Sequence, residues 1–208
     1  MHGSFSVAVN MRTIKQGIRI VGIDDSPFEK HGPERSVLVV GVVQRGDIVE
    51  GVLSTTVTKD GNDATQKTIA MIKESRFLSQ VRLILLNSIM LAGFNVVDIQ
   101  KIHKQLGIPV IALTRRKPNM AEVASALRKS SRTKAGYGKK IAIVNRAGVS
   151  KEVSIRSKIV GLKKAYIQTA GIDAEEAQAL LNKFGIEPLR LAHIIGSGVV
   201  TGESSGRI

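Results

Sequence analysis

The feature that most constrains the fold is a change of hydrophobic period near residue 60. Before it, the apolar residues come in β-branched runs at 18–23, 37–43 and 48–58. The first run is bounded by Gly17 and closed by Asp24-Asp25-Ser26-Pro27. The other two are separated by Gln44-Arg45-Gly46-Asp47, whose Arg-Gly-Asp tip predicts a tight hairpin. From 64 to 78 the spacing of Ile69, Ile72 and Leu78, with Met71 alongside, predicts a helix, for which Asp63 is a suitable N-cap. Residues 81–86 are apolar apart from Arg82, the pattern of a strand buried on both faces. A second helix is expected over 95–106, ending at Gly107, then a buried strand over 108–113 and a helix over 120–129. Three antiparallel strands followed by alternating helices and strands predict an α/β protein with one mixed sheet and helices on both faces. Beyond Arg132 the signals weaken: 140–144 and 164–169 read as strands, 174–184 and 188–200 as helices, the last with Pro near its start. No repeat or low-complexity linker breaks the chain, so a single domain is expected over 1–208, with 1–16 as an N-terminal extension.

The charge is unevenly spread. The net value is +14, yet residues 101–164 hold 17 basic residues against two acids, Glu122 and Glu152, and the remainder is close to neutral. Such a field attracts phosphate polyanions by displacing their counterions. A lysine-rich face of a heat-adapted protein would instead carry matching acids for ion-pair networks, and here they are missing. Arg115, Arg116 and Lys117 follow a strand directly, and Arg128, Lys129, Arg132, Lys139 and Lys140 form a second cluster. Both are candidates for holding a nucleic-acid backbone. Aromatic residues make up 3% of the chain, which argues against base stacking on a broad platform. With no cysteine, disulfides, thiolate zinc sites and cysteine nucleophiles are excluded. No apolar run is long enough to span a bilayer, and residues 1–10 lack a signal-peptide pattern, so a soluble cytoplasmic protein is expected.

Acids are scarce, so their positions are informative. Asp24 and Asp25 end the first strand, Asp60 and Asp63 lie between the third strand and the first helix, and Asp98 sits one turn into the second helix. If the strand order gathers these ends, three or four carboxylates converge on one edge, where Mg²⁺ or Mn²⁺ would neutralise them and could act on a phosphodiester. Each acid also has an ordinary reading: Asp25-Ser26-Pro27 and Asp60-Gly61 as turns, Asp63 as an N-cap, Asp98 as a first-turn acid. Gly93-Phe94-Asn95 is a glycine–aromatic turn into a helix whose N-terminus could hold a phosphate, or else a plain helix start. The four histidines, His2, His31, His103 and His193, show no metal-ligand spacing, and His103 is expected to cap or pack on its helix.

At Gly22-Ile23-Asp24-Asp25-Ser26-Pro27-Phe28, Ala92-Gly93-Phe94-Asn95-Val96-Val97-Asp98 and Gly202-Glu203-Ser204-Ser205-Gly206-Arg207, the chain resembles the archaeal endonuclease dU family, which is placed beside endonuclease V. The resemblance runs from about Gly17 to the end. It implies a ribonuclease H-like sheet and metal-dependent hydrolysis of nucleic acid with deaminated bases. Carried over, the first-strand acid is Asp24 with Asp25 beside it, and the acid near the first helix is Asp63, with Asp60 as the alternative. Where endonuclease V has Asp-Gly at the end of its fourth strand, this chain has Asn87-Ser88. Asn87 can ligate through its carbonyl but brings no charge: either Asp98 supplies the missing carboxylate from the next helix, or the metal site is incomplete.

The expectation is therefore a Mg²⁺- or Mn²⁺-dependent endonuclease for deaminated DNA or RNA, with Asp24, Asp63 and Asp98 catalytic. Asp24, Asp25, Asp60, Asp63 and Asn87 would be metal ligands, and Gly93 and Asn95 would hold phosphate. Two alternatives stand beside it: a non-catalytic nucleic-acid-binding module on the same fold, and a metal-dependent enzyme for a small phosphorylated molecule.

Overall fold

The computed structural model describes residues 17–131, 133–157 and 161–204; the extension expected over 1–16, Arg132 and the end of the 202–207 motif lie outside them. Three strands come first: β1 (Arg19–Asp25), β2 (Ser36–Arg45) and β3 (Ile48–Thr58). β2 and β3 turn at Gly46, whose φ of +59° suits glycine. Then follow α1 (Ala64–Lys73), β4 (Val81–Leu86), a small hairpin of β5 (Met90–Leu91) and β6 (Asn95–Val96), α2 (Ile99–Leu106), β7 (Val110–Thr114) and α3 (Met120–Ser130). The remainder is α4 (Lys134–Ala147), β8 (Lys151–Ser157), β9 (Gly161–Ala170), α5 (Ala174–Phe184) and α6 (Glu187–Thr201).

Seven strands form one sheet in the order β3-β2-β1-β4-β7-β9-β8. β1, β4 and β7 are mutually parallel and central; the flanking pairs are antiparallel. One face is buried in a core built with Ile72 of α1, Ile99 and Ile102 of α2, Leu127 of α3 and Val144 of α4. The other is covered by α5 through Leu180 and Leu181, and by α6 through Leu189 and Ala192. Leu85 and Leu86 are fully buried, one toward each layer. Burying a side chain of this size contributes about 2 kcal/mol.

The expected three-strand start and the alternation after it are present, with four differences. Asn95 and Val96 are strand rather than helix, because Asn95 pairs with Leu91 across a hairpin and α2 begins only at Ile99. The first helix stops at Lys73, before the Ser75–Gln80 turns. Residues 140–144, expected as a strand, belong to α4. Their apolar run is read at helical spacing, with Lys140, Val144 and Ala147 buried at positions four and three apart and Thr133 capping the start. The strand expected at 164–169 is part of β9, whose partner β8 carries no comparable apolar signal. His103 packs as expected: its Nδ1 lies 3.0 Å from the Ile108 carbonyl.

Candidate metal and phosphodiester site

The parallel arrangement of β1, β4 and β7 brings three C-terminal ends to one edge of the sheet, where open α/β sheets place their ligands. Asp24 and Asp25 end β1, Asn87 follows β4, and Arg115, Arg116 and Lys117 follow β7 as an exposed loop. Ile23 pairs with Leu86, and the Asn87 N–H donates to the Ile23 carbonyl, so Asn87 abuts Asp24 by register alone.

A glycine completes the site. A Cβ on Gly22 would stand 2.3 Å from the Pro188 carbonyl carbon and 2.4 Å from the Leu189 nitrogen, so α6 lies backbone against backbone on β1. Two residues along a strand advance about 6.6 Å and four along a helix about 6 Å. With Leu189 over Gly22, His193 therefore falls over Asp24, and Gly196 comes against Ser26 at 3.4 Å from its would-be Cβ. Nδ1 of His193 lies 3.1 Å from Oδ2 of Asp24. His193 is the functional candidate that sequence reasoning missed; the only hint was a glycine in the middle of the first strand.

Asp24 is 2% exposed. Its Oδ1 accepts hydrogen bonds from Asn87 Nδ2 and from the Asp25 N–H, each at 3.0 Å. Burial, followed by the charge of Asp25, pushes its carboxyl up to about 6, against the opposing pull of Asn87, His193 and the Asp25 N–H. Burial also raises Asp25, whose Oδ2 accepts the Ala92 N–H at 2.7 Å. The two acids thus resist ionisation side by side, a state that a cation would relieve.

The other acids are engaged differently. The expected convergence of carboxylates on one ion is not found: among the described residues no group of three or more His, Asp or Glu is placed to hold a metal. Asp63 occupies the N-cap position of α1 but makes no capping bond. Its oxygens turn back to the Thr58 N–H and hydroxyl and to Asn95 Nδ2. Burial pushes its pKa up, but these donors outweigh it and hold it below the usual range. Asp60 Oδ1 accepts the Phe94 N–H at 2.8 Å. Asp98 caps α2 through the Lys101 N–H and pairs with Arg146 at 2.7 Å. Gly93 and Asn95 do not form a phosphate cradle. The amides of Ala92 and Phe94 are taken by Asp25 and Asp60, and a Cβ on Gly93 would meet Asp60 Oδ1 at 2.5 Å. Asn95 is fully buried and ties the Thr58 carbonyl, Asp63 and the Ala64 N–H together. The Ala92–Asn95 turn is a clasp that positions acids.

Of the basic candidates, Arg115, Arg116, Lys117, Arg128, Lys129 and Lys139 are exposed. The Arg128 guanidinium lies over the Tyr137 ring, 5.3 Å from its centroid. Lys140, expected to hold a nucleic-acid backbone with its cluster, does not join that surface: it is 3% exposed and donates to the Asp60 carbonyl at 2.6 Å.

Residues 16–200 match the model of the family described as Endonuclease dU. The chain belongs to the endonuclease dU family. Relatives of this family include a UPF0215 protein of Methanothermobacter thermautotrophicus, 44% identical over 95% of either chain. A crystal structure of a protein of unknown function from Archaeoglobus fulgidus superposes with a TM-score of 0.74 at 38% identity, covering 88% of this chain and 98% of that one. Endonuclease V of Ciona intestinalis, solved with a 23-mer DNA containing an inosine, gives a TM-score of 0.51 at 12% identity, covering 86% and 83%. That likeness shows the fold, which is ribonuclease H-like. Among the described residues of this endonuclease dU member, no helix is long and apolar enough to cross a membrane.

Proposed function

We propose that the protein is a divalent-metal-dependent nuclease that cuts nucleic acid containing a deaminated base. The observation that carries the reading is the pair of adjacent carboxylates, Asp24 buried and Asp25 half-buried, held against ionisation at the C-terminal edge of a ribonuclease H-like sheet. The donor set fits a hard cation. Asn87 spends its Nδ2 on Asp24, and its Oδ1 takes part in no hydrogen bond among the described residues. The adjoining Ser26 hydroxyl is buried without a partner. Asp24, Asp25 and the Asn87 carbonyl would hold the ion. Mg²⁺ or Mn²⁺ would supply charge neutralisation at the scissile phosphate and an acidified water. His193, about one third exposed and fixed against Asp24, would hold a proton beside the phosphate oxygens. The Arg115–Lys117 loop on the same edge would bind the flanking backbone. In this reading Asp60 and Asp63 shape the clasp beside the site and Asp98 fixes α2, instead of ligating. The endonuclease V relative of like fold was solved on inosine-containing DNA, which supports the choice of substrate.

A second reading, binding without cleavage, is favoured by Asn87, which brings no charge where a second acid would anchor a second ion. One experiment separates them: strands with uracil, inosine or a mismatch are incubated with Mg²⁺, with Mn²⁺ and with chelator. The nuclease reading expects cleavage of a deaminated strand that chelator abolishes. Retention of the strand with no cut under any metal leaves the binding module.

A further inference from the structure

On the far side of the Ala92–Asn95 clasp lies a cavity of about 320 Å³ with no assigned role. It is lined by Arg35, Lys59, Asp60, Ser131, Thr133 and Lys140, among others. The chain builds it from three separate places. Arg35 precedes β2, and its carbonyl accepts the Lys59 N–H at 2.6 Å, which sets these two cations side by side. Asp60 takes a left-handed φ of +56° that turns the chain toward α1. Ser131 and Thr133 lie between α3 and α4, and Thr133 caps α4 through the Gly136 N–H.

Its lining sets three cations against one carboxylate. Lys59 Nζ donates to the carbonyls of Glu29 and Gly32, and Lys140 Nζ to the carbonyl of Asp60. Among the described residues, none of Arg35, Lys59 and Lys140 belongs to an ion pair. The lone lining carboxylate, Asp60, is turned to the Phe94 N–H. Lys140 is 3% exposed, a cation withdrawn from water and facing a cavity, and burial lowers its pKa against the opposing charge of Asp60. The hydroxyl of Ser131 is shut off from solvent and has no hydrogen-bond partner. The first turn of the fourteen-residue α4 adds its positive end to the same wall. Three cations, an unused hydroxyl and a helix N-terminus call for a tetrahedral oxyanion.

We infer that this cavity binds a phosphate group, and that its source is the backbone of a nucleic-acid strand held across the clasp from Asp24 and Asp25. The volume leaves room for a phosphate with its adjoining sugar. The position supports a strand over a free ion. Lys140 holds the Asp60 carbonyl, the Asp60 N–H holds the Ala92 carbonyl at 2.9 Å, and the Ala92 N–H holds the Asp25 carboxylate. Three successive hydrogen bonds thus link the cavity to the acid pair. The strand assignment rests on the nuclease reading; the phosphate site does not.

The test uses the full chain with metal omitted. Binding of a single-stranded oligonucleotide is measured across a salt series, with and without inorganic phosphate as competitor, for the wild type, Arg35→Gln, Ser131→Ala and Lys73→Gln. Arg35 is exposed, so its variant keeps the fold, and circular dichroism verifies this for each protein. The expected result is a log–log salt slope lower by about one unit in Arg35→Gln, weaker binding in Ser131→Ala, and competition by phosphate that Arg35→Gln diminishes several-fold. Lys73→Gln, exposed at the end of α1 and outside the cavity lining, should keep the wild-type slope. A slope unchanged in Arg35→Gln while phosphate still binds at that site would assign the cavity to free phosphate and overturn the strand. An unchanged slope with no phosphate binding would overturn the site altogether. A wild type that shows the expected slope change without metal, yet cuts no deaminated strand once Mg²⁺ or Mn²⁺ is restored, would refute the nuclease reading alone.

Discussion

Two pairs of carboxylates flank the same four-residue turn and are treated in opposite ways. Asp60 and Asp63 meet donors at every turn, and Asp63 is held below the usual carboxylate range. Asp24, buried, and Asp25, half-buried beside it, are pushed up, Asp24 to about 6. The first pair is consumed by the fold. The second is a liability to the fold, and a cation is the partner whose chemistry would remove it. Acid content alone does not mark a metal site; what marks it is ionisation that the surrounding structure leaves uncompensated.

The comparison can be broken first at its seam. Gly22→Ala drives a methyl into the backbone of α6, where no side chain can yield, so a loss of about 3 kcal/mol or more is expected. It should also displace His193 from Asp24. Chemical denaturation gives the first effect, and a fall in cleavage at temperatures where the variant stays folded gives the second. An Ala variant as stable as wild type would mean that α6 does not seat on β1 as described.

Next comes the compensated pair. Asn95→Ala strands the buried Ala64 N–H and takes one donor each from the Thr58 carbonyl and Asp63, which keep the Gly61 and Thr58 N–H groups. The orphaned amide and the two lost hydrogen bonds cost about 1 kcal/mol each, so denaturation should show a loss of about 2–3 kcal/mol. A loss below 0.5 kcal/mol would remove the clasp from the account.

The pH dependence sharpens the contrast. Asp24 has a folded pKa above its ordinary value, so the native state binds the extra proton. Its contribution favours the folded state at low pH and is lost as pH rises from about 4 to about 6, by at most about 3 kcal/mol. Asp63 runs the other way: its contribution is present above its ordinary pKa and is lost as pH falls below it. In denaturation between pH 4 and 7 with chelator, Asp24→Asn should gain on the wild type as pH rises, and Mg²⁺ should close the gap. Asp63→Asn should be weaker than wild type throughout that window. Parallel profiles for the two variants would erase the distinction.

The order of strands and the core were legible because the apolar residues of β1, β2, β3, β4 and β7 must face buried layers, and period alone reveals that. The shift of 140–144 into α4 was hidden because Ile141 to Val144 is an unbroken apolar run, equally at home in a strand. For the site, Asp24, Asp25 and Asn87 follow from strand ends. What sequence could not show is which acids find donors: Asn95, far along the chain, satisfies Asp63, and Arg146 pairs with Asp98. His193 depends on a helix register set by Gly22, a contact across 167 residues of chain that leaves no local pattern.

The most direct test of the central claim is strand cleavage by Asp24→Asn and Asp63→Asn, assayed together with Mg²⁺ on uracil- and inosine-containing oligonucleotides. Both substitutions keep shape and remove one charge. The account predicts that Asp24→Asn loses cleavage by about 10²-fold or more while remaining folded. Asp63→Asn should keep cleavage within a few-fold of wild type and lose stability instead. Cleavage by Asp24→Asn at the wild-type rate, or its abolition in a stably folded Asp63→Asn, would contradict the account.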